Sequence, residues 1–157
     1  MQFYLNGYTP GDPDVRKAQL PDAVDVLVIG SGPAGALLAA QLSNFPSIST
    51  RLIERRAGAL QVGQADGIAC RTVEMFEAFG LGHKLVREAY WVNETTFWKP
   101  GDGSGDEGRG IIRSGRVQDV EDGLSHMPHV ILNQARVHDF YLETMQRSAS
   151  RLVPHYG

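Results

Sequence analysis

Gly30, Gly32 and Gly35 stand directly after the apolar run Val26-Leu27-Val28-Ile29, and Glu54 follows 19 residues after the last of them. Glycines so spaced can bring backbone amides against a pyrophosphate. Gly30 permits a tight turn, Gly32 keeps a Cβ away from the phosphates, and Gly35 lets the next helix pack close to the strand. A carboxylate at position 54 accepts hydrogen bonds from ribose hydroxyls and repels a 2′-phosphate. The chemistry predicted is binding of an adenine dinucleotide that lacks that phosphate. A glycine turn in some other βαβ unit, with Glu54 a solvated charge at a strand end, accounts for each residue singly. The strand before, the helix after and the acid at its distance favour the dinucleotide together.

Those residues need a strand, turn, helix and strand to position them. Val26 to Ile29 reads as a strand buried on both faces, and Leu52-Ile53-Glu54-Arg55 closes a second. Between them Pro33 takes the first-turn position, Ala34 to Leu42 is rich in good helix formers, and Asn44 to Ser47 ends the helix. Further helices are expected from Thr72 to Phe79, stopped by Gly80, and from about His83 to Ala89. Residues 99–110 read as a mobile, polar, glycine-rich loop, and Ile111 to Val117 as two short strands turning at Ser114-Gly115. His129 to Leu132 predicts a strand, and Val137, Phe140, Tyr141 and Met145 recur at helical spacing as a core stripe in a helix from Ala135 to about Ser148. Residues 151–157 read as the start of another strand. Residues 1–22, with Pro10, Gly11, Pro13 and Pro21, read as a surface arm that packs on the fold or on a partner subunit.

The 157 residues, 42% hydrophobic and 21% charged, suffice for one sizeable core, and one domain is the default expectation. A net charge of −3 without a run of Lys or Arg argues against nucleic acid. No apolar run approaches the roughly 18 residues of a membrane span, and the polar start has no apolar leader, so a cytoplasmic location is expected. The single cysteine, Cys70, agrees with a reducing compartment and reads as a buried, inert thiol. His126 and His129 are three apart, but Pro128 lies between them and no Cys or carboxylate cluster completes a metal site.

The stretch Gly63-Gln64-Ala65-Asp66-Gly67-Ile68-Ala69-Cys70-Arg71-Thr72 is far more specific than any glycine turn. With Gly30 to Gly35, Trp91 to Pro100, Gly115 to Asp119 and His129 to His138, it resembles the FAD-dependent aromatic-ring hydroxylases, in the branch of phenol 2-monooxygenase and 3-hydroxybenzoate 4-monooxygenase. The resemblance covers roughly residues 23–157. It implies an α/β, Rossmann-like FAD-binding βαβ fold, here incomplete. The ADP part of FAD would lie on Gly30, Gly32, Pro33, Ala34, Gly35 and Glu54, with Arg55 beside the ribose. Gln64 and Ala65 would approach the flavin, and Gln134 would contact FAD from the later strand. Arg71 would hold the pyrophosphate, as a planar guanidinium suits; a surface arginine at a helix start is the plainer reading. Asp66 would accept the phenolic proton of the substrate, raising electron density on the ring; a turn-capping aspartate is its structural alternative. His129 would line the substrate pocket, or simply begin a strand. FAD, reduced by NADPH or NADH, would use O₂ to place one oxygen on a phenolic ring.

Members of that family are several times longer, and their second flavin motif would lie beyond residue 157; Gly11-Asp12 and Gly101-Asp102 stand in the wrong context to replace it. The chain is expected to be an N-terminal part, with the substrate and C-terminal domains absent, that exposes apolar sheet edges and half a flavin crevice. Weak FAD binding and no hydroxylation by the chain alone are expected, with a homodimer possible in the longer form. The alternatives are another FAD or NAD oxidoreductase, which leaves residues 63–72 unexplained, and a non-catalytic nucleotide-binding module derived from such an enzyme.

Overall fold

The computed structural model describes residues 20–103 and 109–157. Most of the expected arm and the centre of the expected 99–110 loop lie outside the described residues. In chain order the elements are β1 (Val26–Ile29), α1 (Pro33–Leu42), β2 (Thr50–Glu54), β3 (Gly67–Ile68), α2 (Cys70–Ala78), α3 (Gly82–Glu88), β4 (Tyr90–Val92), β5 (Glu94–Pro100), β6 (Ile111–Gln118), β7 (His129–Ile131), α4 (Gln134–Arg147) and β8 (His155–Tyr156). They form two compact units, one up to Asp66 and again over Asn133–Gly157, the other Gly67–Leu132.

The first unit holds a parallel sheet in the order β1-β2-β8. Val26 pairs with Thr50 and Ile29 with Ile53, and Glu54 pairs with Tyr156. Parallel pairing of β1 with β2 demands a crossover, and α1 supplies it. Its Ala36, Ala39 and Ala40 are fully buried, so α1 and α4 pack side by side through a face with almost no side-chain bulk. From α4, Phe140, Tyr141 and Met145 fill the core beside Leu52, as the helical spacing predicts. Asn133 caps α4 by accepting the Ala135 amide at 2.8 Å.

The expectation that β1 is buried on both faces is corrected. Helix cover lies on the Val28 face, whereas Leu27 and Ile29 on the other face are 50% and 78% exposed. A strand with one covered face needs only alternate apolar positions, so Leu27 and Ile29 are surplus to the packing seen here.

In the second unit β7 runs antiparallel between β3 and β4, beside the helix pair α2 and α3. Gly80, at φ +73°, ends α2 as its type predicts. Three expectations fail. Ile111 to Val117 is not a hairpin but part of one strand, β6, paired along its length with β5. Phe97 pairs with Gly115 and Trp98 with Arg113, which leaves Ser114 without a partner: Ser-Gly makes a bulge, not a turn. Lys99 and Pro100 likewise belong to β5 rather than to a loop. Cys70, expected to be buried, is half-buried at the start of α2. Among the described residues no helix is long and apolar enough to cross a membrane.

Candidate functional site

In the first unit the turn between β1 and α1 has the form its glycines predict. Gly30 adopts φ +96°, a conformation that other residues enter only with strain. A Cβ on Gly35 would strike the Gly30 carbonyl oxygen and lie 3.3 Å from Val28 Cγ1, so only glycine lets α1 start this close to β1. A Cβ on Gly32 would meet nothing within 4 Å: the space above it is open. Gly32, Pro33 and Ala34 are exposed, and no side chain caps the start of α1. The amides of its first turn face outward with the positive end of the helix dipole.

Glu54 ends β2 beneath this turn, 7% exposed. Its Oε2 accepts the Ser31 amide at 3.0 Å and the Ser31 hydroxyl at 3.2 Å, and its Oε1 accepts the Arg56 amide at 2.9 Å. Burial works to raise its pKa, but the Ser31 and Arg56 amides, the Ser31 hydroxyl and the Arg56 charge outweigh burial and hold it below the usual carboxylate range. The carboxylate therefore braces the glycine turn from behind. Beside these three hydrogen bonds the Arg56 guanidinium stands 3.6 Å from Oε1. A cavity of about 420 Å³ opens where β1, β2 and β8 end, walled by Ile29, Gly30, Ile53, Glu54, Arg55 and Tyr156. The carboxyl ends of parallel strands are where open α/β sheets bind nucleotides, and the volume lies within the usual range for small-molecule sites. Open space over Gly32, free first-turn amides, a braced acid and an apolar cavity fit the ADP part of a dinucleotide.

Gln64, Ala65 and Asp66 are exposed on a loop tied to the start of α4. Gln134 Oε1 accepts the Gln64 amide at 2.8 Å, and the Gln134 amide points at Asp66 Oδ1 at 3.4 Å. Gln64, Asp66 and Gln134, some 70 residues apart in sequence, are thus brought together. Gly63 makes this possible, since a Cβ there would run into Gln134 Cβ and stand 3.1 Å from its amide and its Oε1. Gly63→Ala is expected to lower stability by about 1–3 kcal/mol through overpacking, read by urea unfolding, and to expose the Gln64 amide to exchange.

In the second unit His129 Nδ1 meets Asp119 Oδ2 at 2.5 Å, and Nε2 lies over Gly67, 3.4 Å from where a Cβ would stand. The carboxylate fixes the ring with Nε2 over Gly67. Arg71 binds Glu74 Oε2 at 2.8 Å with its side chain 87% exposed, the geometry of a surface pair one helical turn apart. Ser31 and Asp119 escape a reading of the sequence alone. A serine inside a glycine turn has no distinctive spacing to the acid that it meets, and Asp119 reaches His129 only through the path of the chain after β6.

Residues 23–152 match the family described as FAD binding domain. The chain is 56% identical over its whole length to 3-hydroxybenzoate 4-monooxygenase of Comamonas testosteroni, and covers 26% of that protein. It is 32% identical to a phenol 2-monooxygenase of Aspergillus fumigatus over 74% of this chain, and covers 19% of that one. The chain therefore spans about a quarter or less of the length of these relatives. The crystal structure of p-nitrophenol 4-monooxygenase from Pseudomonas putida superposes with a TM-score of 0.69 at 18% identity, over 85% of this chain and 31% of that chain. The Rossmann-like, partial flavoprotein monooxygenase fold expected from the sequence is the fold observed. The chain belongs to the FAD binding domain family.

Proposed function

We propose that this chain supplies the FAD-binding part of an aromatic hydroxylase that acts on a small phenolic substrate, with 3-hydroxybenzoate preferred to phenol, using O₂ and NADPH or NADH. The observation that carries the reading is the whole-chain likeness to a 3-hydroxybenzoate 4-monooxygenase, on a turn and cavity that fit a dinucleotide. FAD, when bound, supplies the redox and oxygen chemistry. The chain's residues bind and orient. Gly30, Gly32 and Gly35 give the pyrophosphate a Cβ-free approach at the start of the helix that Pro33 and Ala34 open, Glu54 takes a ribose hydroxyl, and Arg55 flanks it. Gln134, its Oε1 held by the Gln64 amide, turns its NH₂ group toward the cofactor beside Ala65. Arg71 is proposed as a pyrophosphate ligand, a role that would draw on the guanidinium now paired with Glu74.

Asp66 is the proton acceptor for the phenol hydroxyl. Its carboxylate is exposed and only weakly engaged by the Gln134 amide, so it has acceptor capacity to spare. His129, its ring fixed by Asp119, offers Nε2 to a substrate hydroxyl or carboxylate. The single cysteine and the lack of a long apolar run support a cytoplasmic setting, and a homodimer is proposed for the longer form.

The test is to titrate the purified chain with FAD, reading the quenching of flavin fluorescence, and then to follow NADPH oxidation with and without 3-hydroxybenzoate. Bound flavin without substrate-dependent NADPH oxidation is expected. Substrate-dependent oxidation by this chain alone would contradict the view that further residues complete the site. Failure to take up any flavin would contradict the FAD reading itself.

A further inference from the structure

Surface ion pairs commonly join two flexible side chains and hold neither in place. The pair at the start of α2 differs, because one of its partners is anchored. Arg71 Nη1 donates to Glu74 Oε2 at 2.8 Å, while the other carboxylate oxygen, Oε1, accepts the Ser125 hydroxyl at 2.7 Å. Ser125 Oγ in turn accepts the Met127 amide at 3.0 Å. Arg71, Glu74, Ser125 and the backbone of Met127 thus form one hydrogen-bonded chain, which ties α2 to the segment leading into β7. Exposure falls along it, from 87% for the Arg71 side chain to 26% for that of Glu74. The guanidinium is therefore held at one nitrogen and otherwise open to water. Among the described residues its Nε and Nη2 have no partner, and that is an edge on which a guanidinium takes two oxygens of a phosphate side by side.

We propose that Glu74 is a positioning residue for Arg71: anchored by Ser125, it orders the guanidinium before FAD arrives and leaves the Nε–Nη2 edge free for the pyrophosphate. The inference rests on the reading of Arg71 as a pyrophosphate ligand, and it concerns two residues, Glu74 and Ser125, that act only through that arginine. A long side chain immobilised by a ligand loses rotamer freedom, and a side chain ordered beforehand spares the complex that loss. The Glu74 carboxylate also offsets positive charge that an anion would meet. These two effects have opposite signs: losing the anchor weakens FAD binding, whereas losing the charge alone strengthens it. Ser125→Ala removes the anchor and keeps every charge, and Glu74→Gln removes the charge and weakens the hold on Arg71.

The test is a double-mutant cycle in the full chain, read by quenching of FAD fluorescence and by NMR relaxation of the Arg71 Nε–H group. Arg71→Ala is expected to weaken FAD binding about tenfold. Ser125→Ala and Glu74→Gln should each weaken it about threefold when Arg71 is present, and should change nothing in the Arg71→Ala background. Without FAD, the Arg71 Nε–H group should be rigid in the wild type and mobile in both variants. Equal weakening with and without Arg71 would overturn the proposal, since Glu74 and Ser125 would then serve only the fold of α2 and the segment before β7. Tighter binding by Glu74→Gln would overturn it as well, by making the carboxylate an opponent of the cofactor. A wild-type Arg71 Nε–H group as mobile as that of Ser125→Ala would do so whether or not FAD binds. FAD affinity untouched by Arg71→Ala would remove the pyrophosphate reading of Arg71 and the proposal with it, whereas a wild-type chain that takes up no FAD would remove the cofactor reading itself and leave the relaxation data to decide whether Glu74 holds Arg71.

Discussion

Gly35→Ala abolishes flavin binding and destabilises the chain by about 3 kcal/mol or more, at or beyond the upper end of ordinary overpacking. The added methyl strikes the Gly30 carbonyl oxygen, which belongs to backbone and cannot swing aside as a side chain would. Relief requires α1 to move off β1, and that movement displaces the first-turn amides proposed to meet the phosphates. Gly32→Ala is the control that separates folding from binding. Gly32 already has φ −63°, and its Cβ would meet nothing within 4 Å, so stability should change by no more than about 0.5 kcal/mol. FAD affinity should nevertheless fall, because the methyl occupies space that the pyrophosphate needs. Urea unfolding together with FAD fluorescence quenching checks both variants. Equal destabilisation by the two would contradict the different jobs assigned to these glycines.

Glu54→Ala has the second large effect. Removing the carboxylate strands the buried Ser31 amide and hydroxyl and the Arg56 amide, and a buried donor left unpaired costs about 1–3 kcal/mol. Because the three donors share one acceptor group, the losses do not simply add, and a total of roughly 3 kcal/mol is expected. Glu54→Gln keeps one carbonyl acceptor and should lose less. The pH dependence has a definite sign. Glu54 is held below its ordinary value of 4.5, so its contribution is fully present above that pH and disappears as the pH falls through the lower folded value. The stability gap between wild type and Glu54→Ala should therefore be constant near neutrality and shrink only below about pH 4.5. Urea unfolding at a series of pH values reads this directly. A gap that widens on acidification would show that the carboxylate is protonated in the folded chain.

The strand, turn, helix and acid were legible because each has a local cause: Gly30 needs positive φ, Pro33 suits a first turn, and Val26 to Ile29 is too short for a helix. The stripe of Val137, Phe140, Tyr141 and Met145 was legible because helical periodicity and burial coincide there. The same periodicity concealed His138, whose position in the stripe looks like packing until its nitrogens are found without partners. Ser114-Gly115 was misread because a turn and a bulge share their residue preferences, and only the pairing of Phe97 and Trp98 across the ladder decides between them. The burial of β1 was misread because an apolar run records what a strand tolerates, not how many faces are covered. Glu54 was read as a ribose ligand from its distance to Gly35; its contacts with Ser31 depend on a side-chain direction that spacing does not encode.

We propose that the turn, Glu54 and the cavity beside them hold the ADP part of FAD. Titration of the purified chain with FAD, then with FMN, and then of the FAD-loaded chain with ADP, tests it most directly. FAD should bind with one site per chain, ADP should displace it, and FMN, which lacks the adenosine half, should bind far more weakly. Equal binding of FMN and FAD, or FAD binding that ADP leaves untouched, would contradict the account.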